Sequence, residues 1–318
     1  MQKTYFTLAL VAFFVSLVFC SLFIPLLRKL KAGQNILSYV KEHKKKSGTP
    51  TMGGLAFIPA AVLAVALFTR NAQKPLLVTL AISLAYMAVG FMDDSLKKKH
   101  KENLGLKAWQ KFVFQACIAL LASIFCVRNG LTYLYVPFTK IKWEIGLWLF
   151  PLSSFVFLAT VNAVNLTDGL DGLAASVSVP FFLTFGVLIA LQGDLYGLSG
   201  VCFALVGALL AYLLFNAPPA SVFMGDTGSL ALGGFASCIA VFTGNALYIA
   251  VVGLAFVFSV ISVVLQVIYY KVTNGKRIFL MSPVHHHFQQ KGYSESKISY
   301  AYFLATLLLG AVCLIFAL

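Results

Sequence analysis

The chain has 318 residues, of which 60% are hydrophobic and 11% are charged, and it carries a formal net charge of +14 at pH 7. Because a soluble domain has about 25% charged residues, this composition excludes an ordinary water-soluble protein and predicts a chain solvated mainly by lipid. The six cysteines lie within apolar runs without CxxC spacing, which argues against a disulfide framework.

Ten apolar segments approach the length that a membrane-crossing helix needs, about 20 residues at a rise of ~1.5 Å each. Lipid offers no hydrogen bonds to peptide groups, so these segments must be helical. We therefore predict an all-α polytopic membrane protein of about ten transmembrane helices, forming a single domain over residues 1–318. The segments cover residues 5–27, 53–69, 76–92, 109–127, 146–164, 173–191, 198–215, 228–243, 246–270 and 299–317.

The loops between these helices differ in charge. One set, at residues 28–52, 93–111, 165–171, 216–227 and 271–297, holds most of the 24 lysines and arginines. The positive-inside rule predicts that this set is cytoplasmic, so that both termini are outside. The net charge then reflects topology, with anionic membrane lipids as counterions, and we expect no nucleic-acid partner. In the outer loops, residues 131–145 alternate in polarity and predict a short β-hairpin.

Carboxylates also gather in the basic loops, since only Glu144 and Asp194 of the ten acidic residues fall elsewhere. An aspartate at the start of a helix could simply be an N-cap, as Asp171 could be for the sixth helix and Asp226 for the eighth. That explanation does not extend to Asp93 and Asp94, because they follow a helix C-terminus, where negative charge is unfavourable. Their position favours a cationic partner.

Carboxylate and amide oxygens suit Mg²⁺ or Mn²⁺ better than zinc. Lysines such as Lys97 and Lys111 follow the aspartate pair, and Gly225 beside Asp226 allows close backbone approach to a ligand. Sites of phosphoryl transfer combine a hard cation with basic side chains and with backbone that can approach the phosphates closely. Three asparagines lie within a few residues of an aspartate motif, and we expect them to share the site. They are Asn162, Asn165 and Asn216.

Three consecutive histidines, His285 to His287, occupy the last basic loop. They could contact substrate or handle a proton, form structural hydrogen bonds, or bind a metal. Zinc would need further Cys or His ligands nearby, and these loops add only His43 and His100. In an extended segment, His285 and His287 would share one face and His286 would point to the other.

Five segments, one in each basic loop, carry a family resemblance. With them the chain resembles the MraY-type phospho-N-acetylmuramoyl-pentapeptide transferases, which belong to the polyprenyl-phosphate N-acetylhexosamine-1-phosphate transferase superfamily. The aspartate motifs are typical of the superfamily. The first loop and the three histidines are typical of its muramoyl-pentapeptide branch. The segments are KSGTPTMGG at 46–54, GFMDD at 90–94, NAVNLTDGLDGLA at 162–174, NAPPASVFMGDTGSL at 216–230 and MSPVHHHFQQKGYSE at 281–295.

The resemblance implies roles for individual residues. Asp226 would be the Mg²⁺ ligand, and a uridine and ribose region would include Phe223 as a stacking platform. The implied catalytic residues are Asp93, Asp94, Asp168, Asp226 and His285. Together with the residues singled out above, the candidate substrate contacts are Lys46, Thr51, Lys97, Lys111, Asn162, Asn165, Asp171, Asn216, Phe223, Gly225, Ser229, His286 and His287.

The implied reaction moves phospho-MurNAc-pentapeptide from UDP-MurNAc-pentapeptide to undecaprenyl phosphate, giving lipid I and UMP. We expect direct attack by the lipid phosphate rather than an aspartyl-phosphate intermediate. The resemblance also implies a homodimer in the bacterial inner membrane, with the active site on the cytoplasmic face. Two alternatives are a related transferase that uses UDP-GlcNAc and a secondary transporter, which would carry its acidic residues near the bilayer midplane.

Overall fold

The computed structural model describes residues 2–30, 48–69, 72–100, 105–139, 141–194 and 197–317. Their regular structure is almost entirely helical, as the need to satisfy backbone hydrogen bonds in lipid requires. In chain order the helices are α1 (Gln2–Lys29), α2 (Gly54–Phe68), α3 (Lys74–His100), α4 (Ala108–Arg128), α5 (Leu149–Thr167), α6 (Leu173–Leu191), α7 (Leu198–Asn216), α8 (Gly225–Phe242), α9 (Ile249–Val252), α10 (Leu254–Val272), α11 (Val284–Gln290) and α12 (Glu295–Ala317).

Nine helices in the described part of the chain are long and apolar enough to cross a membrane, and α2 is a shorter apolar helix of 15 residues. Each of the ten predicted segments coincides with a helix, so the prediction of an all-α polytopic membrane protein is confirmed. The ninth segment differs from a single helix, because it breaks at Gly253 into the short α9 and the longer α10. A Cβ at Gly253 would lie only 2.6 Å from the Ile249 carbonyl oxygen, which shows how tightly the chain turns there.

The predicted hairpin is confirmed as two short antiparallel strands, β1 (Tyr133–Tyr135) and β2 (Lys142–Glu144). Leu134 pairs with Trp143 at the centre of the register. The Tyr135 amide donates to the Gly244 carbonyl at 2.7 Å, which ties the hairpin to the turn after α8. Since α5 runs from the hairpin to Asp168, the hairpin and the aspartates lie at opposite ends of the bundle.

Helix α8 lies at the centre of the bundle, with 89% of its span buried compared with 17% for α12. It packs between α3 and α5 through adjacent glycines. A Cβ on Gly233 would lie 2.5 Å from Cα of Val161 in α5, and one on Gly234 would lie 3.1 Å from Cα of Ser83 in α3. Small residues let membrane helices approach this closely, and the approach brings the start of α8 to the aspartates of α3.

Candidate functional site

Asp226, in the first turn of α8, is the meeting point of side chains from three other helices. Its Oδ2 accepts hydrogen bonds from Lys97 Nζ of α3 at 2.9 Å and from Lys111 Nζ of α4 at 2.8 Å. Its Oδ1 accepts from Asn165 Nδ2 of α5 at 2.7 Å. Gly225 before it has φ of +72°, a backbone conformation that glycine adopts without strain. Residues that are far apart in sequence therefore converge on one carboxylate.

Asp93 faces Asp226 across the ammonium group of Lys97. Its Oδ2 lies 2.6 Å from Lys97 Nζ, and its Oδ1 accepts the Leu106 amide at 2.7 Å. Lys97 thus bridges two carboxylates, and the side chains of all three residues are largely buried. Partial burial strengthens such ion pairs relative to exposed ones. The expectation that Asp93 and Asp94 follow a helix C-terminus is wrong, because α3 continues to His100; Lys97, four residues after Asp93 on the same helix, is the cationic partner of Asp93.

Asp94 has a different partner, because its carboxylate receives the start of α8. Its Oδ1 accepts the Asp226 amide at 3.2 Å, while its Oδ2 accepts the Thr227 amide at 3.0 Å and the Thr227 hydroxyl at 2.6 Å. Met224, which precedes α8, supplies no side-chain cap. The alternative in which Asp226 caps its own helix is therefore wrong: Asp94 caps α8 from α3, where the positive helix N-terminus stabilises its charge.

The three aspartates present oxygen donors to one space. One carboxylate oxygen from each of Asp93, Asp94 and Asp226 lies within 4.8 Å of the others. Carboxylate oxygens at this spacing fit a divalent cation of the kind that prefers oxygen ligands. Asp94 is held by the backbone amides of α8, whereas the donors to Asp226 and to Asp93 Oδ2 are side chains, which can reorient around an ion; Asp226 and Asp93 are therefore the better-disposed ligands.

Beside the aspartates lies a cavity of about 200 Å³. Two cavity-lining side chains have buried polar atoms without a hydrogen-bond partner among the described residues, Thr51 Oγ1 and Asn216 Oδ1. Buried polar atoms are rarely left unsatisfied, so these two atoms indicate a ligand. The cavity is lined by Thr51, Asp94, Lys97, Asn165, Asp168, Gly169, Leu170, Asp171, Asn216, Phe223, Met224, Gly225 and Asp226.

Backbone pairing holds the first basic loop against the loop before α8. The Gly53 amide donates to the Phe223 carbonyl at 2.9 Å, and the Phe223 amide donates to the Pro50 carbonyl at 2.8 Å. This pairing places Thr51 and Phe223 in the wall of the cavity. Lys46, the remaining candidate from this loop, lies outside the described residues.

The two aspartates of the loop between α5 and α6 behave differently. Burial and the nearby carboxylates of Asp226, Asp94 and Asp171 raise the pKa of Asp168 well above its ordinary value. Asp171 is buried, and its Oδ2 accepts the Ala220 amide at 3.0 Å. Asp171 therefore does not cap α6, as one alternative had it, and instead ties this loop to the segment after α7.

The histidines lie on a short helix, α11, and not on an extended segment. The His287 ring accepts the Leu280 amide at Nδ1 (3.1 Å), whereas His286 Nδ1 faces Gln289 Oε1 at 3.0 Å. His285 is fully buried, and neither ring nitrogen has a partner within the described part of the chain. Burial, reinforced by His286, lowers the pKa of His285 to about 3, so the ring is neutral at physiological pH. It packs on Gly169, where a Cβ would collide with Nε2.

Among the described residues, five of the predicted substrate contacts do not line the cavity: Lys111, Asn162, Ser229, His286 and His287. Asn162 donates to Gln115 Oε1 at 2.8 Å and so links α5 to α4. Ser229 accepts from Asn165 at 2.8 Å and donates to the Gly225 carbonyl at 3.0 Å, which orients Asn165 toward Asp226. The sequence analysis did not single out Thr227, Gln289 or Glu295, although each lies in a quoted segment, because the sequence does not show which distant groups they hydrogen-bond.

Comparison with known proteins agrees with the predicted resemblance. The family model described as "Glycosyl transferase family 4" matches residues 76–244, and the "Phospho-N-acetylmuramoyl-pentapeptide-transferase signature 1" matches residues 46–58. The chain is 44% identical over 309 residues to the Phospho-N-acetylmuramoyl-pentapeptide-transferase of Clostridium novyi (strain NT), covering 96% of this chain and 94% of that one.

Relatives in other genera carry the same name. The Caldanaerobacter subterraneus subsp. tengcongensis protein is 44% identical over 309 residues, covering 96% of each chain. The Bacillus thuringiensis (strain Al Hakam) protein is 43% identical over 297 residues, covering 91% of this chain and 90% of its own. The similarity therefore extends over nearly the full length of the sequence, including all five basic loops.

The capping role of Asp94 predicts a loss of stability that does not depend on substrate. Asp94→Ala would leave the two amides at the start of α8 without their acceptor. We expect a cost of about 1.5–3 kcal/mol, typical of hydrogen bonds to a charged group, seen as a lower thermal midpoint of the purified protein in detergent. Glu144→Ala, on the exposed hairpin, is the control and should leave the midpoint unchanged; equal midpoints for both variants would refute the capping role.

Because the pKa of Asp168 is raised, replacing Asp168 and replacing its neighbour Asp171 should shift the thermal midpoint in opposite directions. An acid whose pKa rises on folding loses stability as pH rises from its unfolded value, about 3.9, through its folded value. Without divalent cations, Asp168→Ala should therefore raise the thermal midpoint at neutral pH, and this gain should vanish toward pH 4. Asp171→Ala, which removes the acceptor of the Ala220 amide, should lower the midpoint. A midpoint lowered equally by both changes would contradict this account.

Proposed function

The chain belongs to the phospho-N-acetylmuramoyl-pentapeptide-transferase family, and from this premise we propose how its own residues carry out the transfer. It is a multi-pass membrane phosphoglycosyl transferase of the lipid I-forming step of peptidoglycan synthesis, with a nucleotide-sugar peptide and a polyprenyl phosphate as substrates. We propose UDP-MurNAc-pentapeptide as the donor and undecaprenyl phosphate as the acceptor. The convergence of Lys97, Lys111 and Asn165 on Asp226 is the observation that carries the proposal.

The proposed cation is Mg²⁺, held by Asp226 and Asp93. The family is generally dependent on a divalent metal, and the donor set consists of carboxylate and amide oxygens, which Mg²⁺ prefers over nitrogen or sulfur. When bound, such a cation neutralises charge that develops on the leaving nucleotide phosphate. Lys97 and Lys111 reach the same carboxylate, so their ammonium groups are the charged donors that would contact the phosphate oxygens.

The nucleoside is proposed to occupy the cavity beside the aspartates. The unsatisfied Thr51 Oγ1 and Asn216 Oδ1 support a polar ligand there, and Phe223 in the cavity wall could stack on uracil. Lys46 remains a proposed contact. A role for His285 in the reaction also remains a proposal: neither nitrogen of its neutral ring has a partner among the described residues, and the ring lies directly behind Gly169 of the cavity wall.

The acceptor needs little activation, because a phosphate monoester has a second pKa of about 6 and is largely ionised at neutral pH. We propose that its oxygen attacks the phosphorus that carries the sugar, while the bond to UMP breaks and UMP leaves. Asp94 is engaged by the start of α8. Of the aspartate pair, Asp93 is therefore the proposed acceptor of any residual proton.

Several features of the setting are also proposals. The excess of lysines and arginines in the loops that carry the aspartates supports a cytoplasmic active site and two outer termini in a bacterial inner membrane. We further propose that residues 1–318 form one domain and that the protein is a homodimer. Asp226 begins α8, Asp168 follows α5, and Asp93 and Asp94 lie in the last two turns of α3, so the aspartates gather near one end of the bundle, which favours an enzyme at the membrane interface over a transporter.

Two adjacent lysines of α3 test the proposal. Lys97 contacts Asp93 and Asp226, whereas Lys98 is exposed. We expect Lys97→Gln to reduce UMP release from UDP-MurNAc-pentapeptide about 100-fold or more, the typical loss of one charge-stabilising donor, and Lys98→Gln to retain activity. The assay uses purified enzyme, undecaprenyl phosphate and Mg²⁺.

Two outcomes of the same assay would overturn the proposal. If the unaltered enzyme releases UMP equally well without divalent cations, the metal assignment fails. If UDP-GlcNAc competes as effectively as the muramoyl donor, the related GlcNAc-1-phosphate activity replaces the proposed one.

A further inference from the structure

Helices α4 and α5 run antiparallel and are joined by hydrogen bonds between side chains at two successive turns beside the aspartates. At the helix ends, Lys111 Nζ donates to Asn165 Oδ1 at 3.3 Å. One turn deeper in the bundle, Asn162 Nδ2 donates to Gln115 Oε1 at 2.8 Å. Residues three or four positions apart share a face of a helix, so both hydrogen bonds lie along one seam between α4 and α5. The Gln115–Asn162 pair is therefore the next tie behind Lys111 and Asn165.

The same seam continues toward the hairpin, where the Ser154 hydroxyl donates to the Ser123 hydroxyl at 3.0 Å. Ser123 follows Gln115 by eight positions and Ser154 precedes Asn162 by eight, so both pairs keep one register between the two helices. The two pairs are therefore alike in the helices that they join. They differ in their distance from the aspartates, by about 12 Å along each helix, since each residue adds a rise of ~1.5 Å.

Gln115 places a polar side chain in the bundle interior at a cost in stability. The residue is 1% exposed, and its Nε2 has no hydrogen-bond partner among the described residues. Asn162 Nδ2 does not depend on Gln115 for an acceptor, because it also donates to the Leu158 carbonyl at 2.8 Å. A buried donor without a partner destabilises a fold, so the stability of the bundle does not explain why a glutamine stands at this position.

Lys111 is the member of the site that depends most on the placement of its own helix. Asn165 is also held by the Ser229 hydroxyl, at 2.8 Å. Lys111 reaches Asn165 and Asp226 only through the ammonium group at the end of a flexible side chain. Because Lys111 lies in the first turn of α4, a rotation or a slide of α4 against α5 would carry that ammonium group away from Asp226.

We propose that Gln115 and Asn162 are positioning residues, which fix the register of α4 against α5 so that the Lys111 ammonium group meets Asp226 in the geometry that the transfer requires. The inference rests on the proposed function, in which Lys111 contacts the phosphate oxygens of the donor. Asn162, which does not line the cavity, then acts from behind the site in place of the substrate contact predicted from the sequence.

The first experiment separates activity from stability in Gln115→Met, which keeps the approximate size of the side chain and removes its acceptor. We expect kcat for UMP release to fall about tenfold or more, because a misplaced charged group costs transition-state stabilisation. KM for the nucleotide sugar should stay within about twofold, as for an interaction made mainly in the transition state. The thermal midpoint without substrate should stay the same or rise, since the unpaired Nε2 is removed as well.

Ser123→Ala is the matched control, because it removes a hydrogen bond between the same two helices. Ser154 can still donate to the Phe150 carbonyl at 2.8 Å, just as Asn162 keeps the Leu158 carbonyl in Gln115→Met. We expect Ser123→Ala to leave kcat unchanged, since this pair lies far along the seam from Lys111.

Two further variants show which group the pair positions. Asn162→Ala removes the same hydrogen bond from the side of α5 and should lower kcat as Gln115→Met does. Combined with Lys111→Gln, Gln115→Met should change kcat by less than about twofold relative to Lys111→Gln alone, because substitutions that act through one interaction are not additive.

Failure of the inference is distinct from failure of the proposed function. An unaltered enzyme that releases no UMP refutes the function. If the unaltered enzyme is active, a normal kcat in Gln115→Met, an equal loss in Ser123→Ala, or a full loss that persists in the Lys111→Gln background overturns the inference. A thermal midpoint that falls together with kcat, or a Gln115→Met protein that does not fold, assigns the pair a purely structural role and overturns it as well.

Discussion

The contact between the Asp94 carboxylate and the first turn of α8 is the interaction on which the site depends. A helix N-terminus buried at a bundle end needs acceptors for its unpaired amides, and α8 obtains them from α3 instead of from its own flanking residues. Gly90 makes the contact possible, because a Cβ there would overlap the Asp226 carbonyl of α8. Asp226 is thereby held beside Asp93, and the two carboxylates become available to a cation.

Charge balance explains why this arrangement suits a substrate that is itself highly charged. Asp93 and Asp226 lie within hydrogen-bonding distance of the ammonium groups of Lys97 and Lys111, while the Asp94 carboxylate faces the positive start of α8. A divalent cation and a pyrophosphate would add charges of both signs. The carboxylates of Asp93 and Asp226 would then bind the cation, and the ammonium groups of Lys97 and Lys111 would bind the pyrophosphate. Asn165, oriented by Ser229, adds a neutral donor to Asp226. In the proposed function, these charges and hydrogen bonds are in place before substrate binds.

The sequence was sufficient for the features that rest on local or repeated patterns. Apolar length predicts each membrane helix, and alternation predicts the hairpin between α4 and α5. The motifs also point to Asp226, Lys111 and Asn165, which the structure brings within hydrogen-bonding distance of one another. What these patterns cannot give is the partner of a residue. Asp94 and Thr227 are separated by 133 positions, and only the crossing of α3 with α8 assigns Asp94 to a helix cap and Asp93 to a lysine.

Other features depended on tertiary structure in the same way. The histidines follow Pro283 and could be extended, yet they form a helix whose rings face Gly169, Gln289 and Leu280. The break at Gly253 leaves no polar signal in an apolar run. Glu295 ends the segment that contains the histidines, but only the fold shows that its carboxylate accepts both the Asp171 amide and the Gln289 side chain.

The most direct test of the central claim is a Mn²⁺ titration of the purified protein, followed by electron paramagnetic resonance, with Mn²⁺ in place of Mg²⁺. If α3 and α8 are held together to form a cation site, the unaltered protein should bind Mn²⁺ and Asp226→Asn should bind it at least about tenfold more weakly, a loss of about 1.4 kcal/mol. Glu144→Gln, at the opposite end of the bundle, should bind as the unaltered protein does. Equal Mn²⁺ affinity in the unaltered protein and in Asp226→Asn would contradict the account.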